Sequence, residues 1–324
     1  MSRILPLDAR SYARSALHGE ERAWRETNCY VDLWIELLHA LGLDPVAPLA
    51  FTLDCDFEGD QWTFFKYPLE DLRTVYGLEV LELAVWLPLT THLEEQVSRG
   101  RPVIVEVDSF HLPDTAGVSY GVEHTKSSIA VQEIDLAHRR LGYFHGPGYF
   151  QLEGADFAGL FQLDVERDPR RLPPYVEIVK LDAQVRPKPA ELTARALGLL
   201  REHLRRRPSR NPFTAWRERF ERDLEWLRTQ PLPVFHGYAF ATLRQLGANF
   251  ELTASFLRWL EGRGETGLEP AAVQFDAISG TAKTLMLKLA RAVMHKKPLD
   301  LAPFASLEHA WAGGMGQLAD RYDR

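Results

Sequence analysis

The chain has 324 residues, a net charge of −7 and proportions of apolar and charged residues that are ordinary for a globular protein. The negative charge argues against general nucleic-acid binding, and no apolar stretch approaches the length needed to cross a bilayer. With only two cysteines, Cys29 and Cys55, the chain cannot build a disulfide framework or a cysteine-rich zinc site. We therefore expect a cytoplasmic protein, long enough for two domains, that binds neither nucleic acid nor membranes.

The first strongly patterned segment is TNCYVDLWIELLHALGLDP, residues 27–45. Apolar residues recur at helical spacing over 31–41, which predicts an amphipathic helix. Thr27 or Asn28 would cap the first turn, because either side chain can accept a bond from a free backbone amide there. Cys29 would then lie at the positive end of the helix dipole, a position that favours the thiolate.

A second group of elements follows near the middle of the first half. The β-branched run RPVIVEVDSF, residues 101–110, predicts a buried strand, and residues 124–135 and 139–146 predict an antiparallel hairpin. A long loop, LPDTAGVSYGVE, separates the first strand from the hairpin and leads directly into His124. Loops of this length are often functional, so His124 is the histidine best placed for chemistry.

The pattern changes after the proline-rich segment VRPKPAEL, residues 185–192, which we interpret as a linker. The sequence therefore predicts an α+β domain over 1–182 and an all-helical domain over 188–324 that covers the active-site cleft of the first. Three amphipathic helices are predicted in the second domain, over 211–230, 238–262 and 272–297.

A cysteine nucleophile needs a base within hydrogen-bond reach and a third group to orient that base. The chain order is a helix beginning at Cys29, a buried strand, a loop, and a hairpin that begins at His124. A papain-like architecture uses this order, with the cysteine helix packed on a sheet that carries the histidine. A small buried residue is the alternative role for Cys29.

The stretch GRPVIVEVDSFHLPDTAGVSYGVEHTKSSIAV resembles the corresponding part of the butirosin-biosynthesis acyltransferase-like proteins. The resemblance covers the first domain and implies a papain-like fold. It also implies that Cys29 takes an acyl group from a carrier-protein thioester and passes it to an amine, with His124 as the base. Over nearly its full length the chain resembles the bacterial family known as domain of unknown function 1839. TNCYVDLWIELLHALGLDP, DFEGDQWTFFKYPLEDL, EVDSFHLPDT and FELTASFLRWL carry that second likeness, which implies no activity.

The residue that orients His124 stays open. The distant family has an aspartate on the second hairpin strand, where this chain has His145, and Asp108 at the end of the preceding strand is the other candidate. The oxyanion donor is open as well, since the glutamine that papain-like enzymes often place before the cysteine is missing. Asn28 or Gln61 can replace it beside the Cys29 amide.

Further candidates for substrate contact lie in the helical domain. Gln245 and Asn249 interrupt an apolar helix and would face either a cleft or solvent. Lys283 follows Ser279 by four residues and is either a substrate-phosphate contact or a solvated helix residue. The acidic segment DCDFEGD fails as a calcium loop because Phe65 occupies the position of the final glutamate, so we expect no metal.

The function predicted from these residues is a cysteine acyltransferase that moves an acyl or aminoacyl group from a carrier-protein thioester to a small amine. We expect no bound cofactor, the phosphopantetheine arm being delivered by the carrier. A papain-like amidase or peptidase with the same residues is one alternative. A non-catalytic binding protein on a degenerate papain-like fold is the other.

A basic segment suggests where an acidic carrier would dock. Residues 186–222 contain eleven Lys or Arg and four Glu, in a chain that is acidic overall. Two acidic proteins repel each other unless a local basic surface steers them together. The expected docking residues, which we call the arginine cluster, are Arg201, Arg205, Arg206, Arg207 and Arg210; a solvated helix end is the alternative.

Overall fold

The computed structural model describes residues 1–164 and 172–323. Internal contacts divide the chain into two units, which we call the sheet unit and the helical unit. The helical unit takes two early segments that the sequence analysis assigns to the first domain. The sheet unit comprises Met1–Gly19, Asn28–Pro45 and Leu72–Arg186, and the helical unit comprises Glu20–Thr27, Val46–Asp71 and Pro187–Arg324.

The sheet unit is built on a seven-stranded, fully antiparallel sheet with the order β2-β7-β3-β4-β5-β6, and β1 pairs with β4. The predicted buried strand is confirmed as β3 and the predicted hairpin as β4 and β5. The strands are β1 (Ser2–Arg3), β2 (Glu79–Glu82), β3 (Val103–Asp108), β4 (Lys126–Asp135), β5 (Arg140–His145), β6 (Gly148–Glu153) and β7 (Val176–Lys180).

The predicted cysteine helix is confirmed as α1 (Cys29–Ala40). Of the two candidate caps, Asn28 performs the role, since its side-chain oxygen accepts a hydrogen bond from the Val31 amide at 3.0 Å. The other helices of this part of the chain are α2 (Leu69–Tyr76), α3 (Leu89–Ser98) and α4 (Ala155–Phe161).

Side chains on the sheet alternate between two faces, as the pleat of a strand requires. Val103, Val105 and Val107 belong to an apolar cluster that includes residues of α3 and α4, and we call this side the cluster face. The intervening residues point to the opposite side. There the Tyr30 hydroxyl of α1 donates to Glu177 of β7 at 2.8 Å, so we call this side the helix face.

A buried carboxylate holds the N-terminal segment on α1. Glu36 is fully buried, accepts hydrogen bonds from the Tyr12 hydroxyl at 2.6 Å and the Ser15 amide, and pairs with His18. The other ring nitrogen of His18 lies 3.3 Å from Asp32. Because both ring nitrogens face carboxylates, both carry protons and the imidazole is cationic. Burial lowers the pKa of His18, but the two carboxylates outweigh it and raise that pKa to about 9.

The helical unit confirms the predicted helical second half but divides it differently. The helix predicted over 238–262 is interrupted by a π-helical turn at Phe240–Arg244. Arg244 donates from this turn to the carbonyls of Thr27 and Glu26, so the irregular turn is hydrogen-bonded to a segment distant in sequence. The helices are α5 (Pro189–Arg206), α6 (Pro212–Leu227), α7 (Leu232–Ala239), α8 (Gln245–Glu261), α9 (Glu269–His295) and α10 (Ala302–Tyr322). Within the described residues, no helix combines the length and apolarity that a membrane span requires.

Specific contacts explain why residues 46–71 belong to the helical unit. His203 of α5 is buried between Asp54, at 2.8 Å, and Asp71, at 2.7 Å. Burial lowers the pKa of His203, but these two bonds outweigh it and raise the pKa to about 9. Trp62 is also fully buried and packs against the aromatic rings of α6 and α8.

Residues 20–27 join the helical unit through Trp24. Its indole nitrogen donates to Ser279 of α9 at 3.0 Å, and its ring lies where a Cβ on Gly247 of α8 would stand. Because α8 carries glycine at this position, the indole can approach the helix backbone.

The two buried imidazolium groups predict that the protein loses stability at alkaline pH. A histidine whose pKa is higher in the folded than in the unfolded state stabilises fully below the unfolded value of about 6.5. That contribution falls as pH rises towards the folded value of about 9. Urea unfolding at pH 6.5 and pH 9 should show a higher midpoint at pH 6.5. In His203→Gln the midpoint should change less between these pH values, and an equal change in both proteins would contradict a cationic His203.

Candidate active site

The end of β3 brings two of the predicted catalytic residues together. The ring nitrogen Nδ1 of His124 lies 2.6 Å from Oδ2 of Asp108, and the imidazole stacks on Phe110 with ring centroids 4.4 Å apart. Asp108 also accepts the Phe110 amide at 3.1 Å. Partial burial raises the pKa of Asp108, but the bonds from His124 and the Phe110 amide outweigh it and keep the pKa below its usual value. Asp108 is therefore a carboxylate that orients His124.

This pair lines a cavity at the edge of the sheet. β7 pairs with β3 as far as Val105, opposite Val176, and the Glu106 amide donates to the Tyr175 carbonyl; beyond that point no described strand pairs with β3 on that side. A cavity of about 560 Å³ opens there, lined by Asp108 and His124 among others. The His124 side chain is 70% exposed. Because Nδ1 faces Asp108, Nε2 is the atom that can exchange a proton with a ligand.

Cys29 begins α1, which packs on the helix face of the sheet. Asp108 belongs to the same face, since it alternates with Val107 of the cluster face. The Cys29 side chain is half-buried, does not line the cavity and makes no hydrogen bond with His124 in the described structure. The helix that begins at Cys29 and the Asp108 and His124 pair therefore lie on one face of the sheet, as predicted. The Cys29 thiol and the His124 imidazole are not hydrogen-bonded to each other.

The structure does not bring His145 to His124. His145 lies on the cluster face, because it alternates along β5 with Tyr143, which belongs to the apolar cluster of that face. Its Nδ1 lies 2.5 Å from Asp114 instead. Of the two candidates that the sequence left open, Asp108 is the residue that contacts His124.

A hydrogen-bonded serine, histidine and aspartate lie on the cluster face, an arrangement that sequence reasoning missed. Ser127 Oγ is 2.7 Å from Nε2 of His145, and the Tyr143 hydroxyl also donates to Asp114 at 2.5 Å. Ser127 is 8% exposed, and its partner across β3 and β4, Val107, lines the cavity. The three residues are far apart in sequence with no motif around them, so only strand alternation could have grouped Ser127 with His145.

The predicted oxyanion donors differ in their surroundings. Asn28 is buried at the start of α1, and its side-chain oxygen is used to cap Val31. Asn28 therefore lies beside the Cys29 amide, with its side-chain oxygen committed to the helix cap. Gln61 is exposed and belongs to the helical unit, in the turn closed by the bridge between Phe57 and Trp62.

The polar candidates on α8 and α9 occupy internal positions of the helical unit. Asn249 is fully buried and donates to the Thr52 carbonyl at 2.8 Å, and Gln245 is 1% exposed. Neither side chain lies on the solvent face of α8. Lys283 lies over the Trp24 ring, 4.3 Å from its centroid, and Ser279 accepts from the same indole. Ser279 and Lys283 therefore both contact Trp24, Ser279 through a hydrogen bond and Lys283 through a cation–π contact.

The arginine cluster lies at the C-terminal end of α5 and just beyond it. Arg206 pairs with Glu202, Arg207 pairs with Asp323 at 2.6 Å, and Arg201 lies over the Tyr322 ring. Arg205 and Arg210 are exposed and have no ion-pair partner within the described residues. Three of the five arginines therefore have no ion-pair partner in the described chain, and of these Arg205 and Arg210 also make no ring contact.

Three aspartates whose side chains could serve as metal ligands each contact a different histidine. Asp54 contacts His203, Asp108 contacts His124, and Asp114 contacts His145. The described part of the chain contains no group of three or more histidine, cysteine, aspartate or glutamate residues suited to hold a metal ion.

The bonds around Asp114 predict that His145 holds the loop before His124. In His145→Ala the Asp114 carboxylate keeps the Tyr143 hydroxyl but loses its bond to the imidazole, at a cost of about 1.5–3 kcal/mol for a hydrogen bond to a charged group. Amide hydrogen exchange over 112–123 should therefore become faster. His138→Ala is the matched control, because the side chain of His138 is 80% exposed and its Asp135 partner is distant in sequence from this loop. Unchanged exchange in His145→Ala would show that the loop is held by other contacts.

Two family models match the chain and together span most of it. The DUF1839 N-terminal domain matches residues 13–181, and the DUF1839 C-terminal domain matches residues 189–320. No curated protein matches the sequence. The interval between the two matched regions falls in the proline-rich segment that follows β7. The chain therefore belongs to the DUF1839 family, with both of the family's domains present in order.

Proposed function

We propose that the protein is a thiol-dependent acyltransferase with Cys29 as nucleophile, His124 as general base and Asp108 as the residue that positions His124. The observation that carries the proposal is the 2.6 Å bond between Asp108 and His124 at a cavity, on the sheet face against which the Cys29 helix packs. A helix that begins with cysteine, packed on a sheet bordered by histidine, also supports a papain-like relationship for the sheet unit.

The reaction would take place in two halves. His124 removes the thiol proton, and the Cys29 sulfur attacks the carbonyl carbon of a carrier-bound thioester. The bond from that carbon to the carrier sulfur breaks, and the carrier thiol takes the proton from His124. An amine then attacks the acyl-enzyme, His124 accepts the amine proton and passes it to the departing Cys29 sulfur, and an amide is released.

Two structural features favour these roles. Cys29 occupies the first position of a twelve-residue helix, the end at which the helix dipole favours negative charge. Asp108 holds His124 through Nδ1 and leaves Nε2 directed away from the carboxylate. The Cys29 and His124 side chains are not hydrogen-bonded here, and contacts between nucleophile and base commonly tighten when substrate binds.

The second candidate is a serine hydrolase that uses Ser127. The observation that favours it is the bonded order of Ser127, His145 and Asp114, with distances of 2.7 and 2.5 Å. Nucleophile, base and orienting carboxylate are connected here as in a catalytic triad. We prefer Cys29 because His124 is exposed at the cavity whereas the Ser127 side chain is buried. A cysteine amidase, and a binding protein without catalysis, are the remaining alternatives.

Covalent labelling distinguishes these candidates. Incubation with an acyl thioester should add one acyl group to Cys29, as shown by intact mass and peptide mapping. Cys29→Ala should abolish the adduct, and Ser127→Ala, which removes a single oxygen, should retain it. His124→Asn should slow acylation by about 100-fold or more, the usual contribution of a general base.

The other possible results of the labelling experiment identify the alternative functions. An adduct lost in Ser127→Ala and kept in Cys29→Ala would assign the nucleophile to Ser127, and labelling of Ser127 by a fluorophosphonate would support it. If no variant and no wild-type protein forms an adduct, the protein is a binding module. Release of free acid, rather than amide, in the presence of amines would identify a hydrolase.

We also propose that an acidic acyl or aminoacyl carrier protein docks on the arginine cluster. Arg205 and Arg210 are the two arginines of the cluster that make neither an ion pair nor a ring contact within the described chain, so their charge is available to an acidic surface. Reversing both to Glu should raise KM for a carrier-bound thioester about tenfold and weaken its salt dependence. KM for a small free thioester should stay unchanged.

The matched control reverses Arg10, an exposed arginine of the sheet unit. Arg10→Glu should leave both KM values unchanged. Equal losses with carrier-bound and free thioesters in the Arg205 and Arg210 variant would show that the cluster is only a solvated helix end.

A further inference from the structure

More apolar than polar side chains line the cavity beside His124. Its wall is formed largely by aliphatic and aromatic side chains from the segment before α3, from β3 and from α4. Examples are Val85, Leu89, Val107, Leu160 and Phe161, which pack against the apolar cluster of the sheet. Its volume of about 560 Å³ lies in the range of small-molecule sites.

All the charged side chains among the described cavity residues are paired with one another. Lys126 donates to Glu106 at 2.7 Å, and His124 contacts Asp108 at 2.6 Å. These two pairs are neighbours at the end of β3 and β4, on the helix face of the sheet. A ligand whose own ammonium or carboxylate lay against the apolar wall would find no charged partner there, which is costly once water is displaced.

Exposed apolar side chains border the cavity. Leu172 lines it and is 84% exposed, and Trp86, 79% exposed, lies between the lining residues Val85 and Leu87. Large apolar side chains that remain in water beside a concave site are typical of surfaces that a ligand covers.

From these three features we infer that the cavity binds the acyl group of the substrate, and that this group is uncharged and apolar, a medium-length aliphatic chain or an aromatic acyl group. The inference rests on the proposed function for the reacting end of the ligand. The carbonyl would lie at the polar end near His124, and the chain would extend along the wall that includes Leu160 and Phe161. A charge on the acyl chain would lie beside this wall without a partner, and this argues against the aminoacyl groups that the sequence left open.

Three thioesters of N-acetylcysteamine test the inference through activity. Octanoyl, glycyl and succinyl derivatives differ in the charge and length of the acyl group but share the leaving thiol. The octanoyl thioester should have a kcat/KM at least about tenfold higher than either charged one, since burial of several methylene groups favours it. A preference for glycyl or succinyl would overturn the inference and leave the acyltransferase proposal intact.

Ligand binding tests the proposed apolar acyl site without catalysis. An octanoyl ketone analogue, with methylene in place of the thioester sulfur, should bind Cys29→Ala in calorimetry, and the succinyl analogue should not. Leu160→Trp, which fills the cavity from a half-buried position, should weaken octanoyl binding about tenfold or more. Leu287→Trp, at an exposed position of α9, is the matched control and should bind normally.

The two proposals fail separately in this design. If the octanoyl analogue binds and Leu160→Trp weakens it, but no thioester is turned over, the acyl site stands and the acyltransferase proposal fails. If the analogue does not bind, or binds Leu160→Trp as well as it binds Cys29→Ala with Leu160 intact, the apolar acyl site is wrong whatever the activity.

Discussion

The alternation of side chains along β4 determines which residues of the sheet unit can react together. Residues two apart share a face of a strand, and neighbours point to opposite faces. Lys126 therefore lies opposite Asp108 on the helix face, and Ser127 lies opposite Val107 on the cluster face. A shift of one residue in the register of β4 would exchange these partners. The pairing of β3 with β4 is thus the constraint that separates the Asp108 and His124 pair from the Ser127 hydroxyl.

The start of β7 at Val176 is the second constraint, because no described strand pairs with the last residues of β3 on that side. In a sheet paired on both sides, those residues would contact another strand. Here Val107 and Asp108 instead line a cavity, one from each face of the strand. The cavity therefore combines an apolar wall from the cluster face with paired charges from the helix face. A short neighbouring strand is sufficient to bring a candidate base and an apolar binding surface together.

Each unit contains a network of buried charged side chains that connects its elements. Glu36 would be costly to bury without partners, and the structure supplies a hydroxyl, a backbone amide and an imidazolium. His203 connects two aspartates of the helical unit in the same way. Each network joins chain segments that are distant in sequence, so a lost partner leaves a buried charge and not merely a missing contact. Carboxylates and histidines outside the candidate site therefore contribute to the stability of each unit.

Local pattern in the sequence determined the cysteine helix, the buried strand, the hairpin and the helical second half, because hydrophobic period and capping residues act over a few neighbours. It also placed Cys29 at a helix start and singled out His124 and Asp108. Tertiary structure alone decided that Asp108, and not His145, contacts His124, since that choice depends on strand register. Tertiary structure also decided that residues 20–27 and 46–71 belong to the helical unit. Their tryptophans and aspartates contact helices that are more than 100 positions away in the sequence. Such long-range partners leave no periodic signal in the sequence, because their spacing is set by packing and not by the geometry of one element.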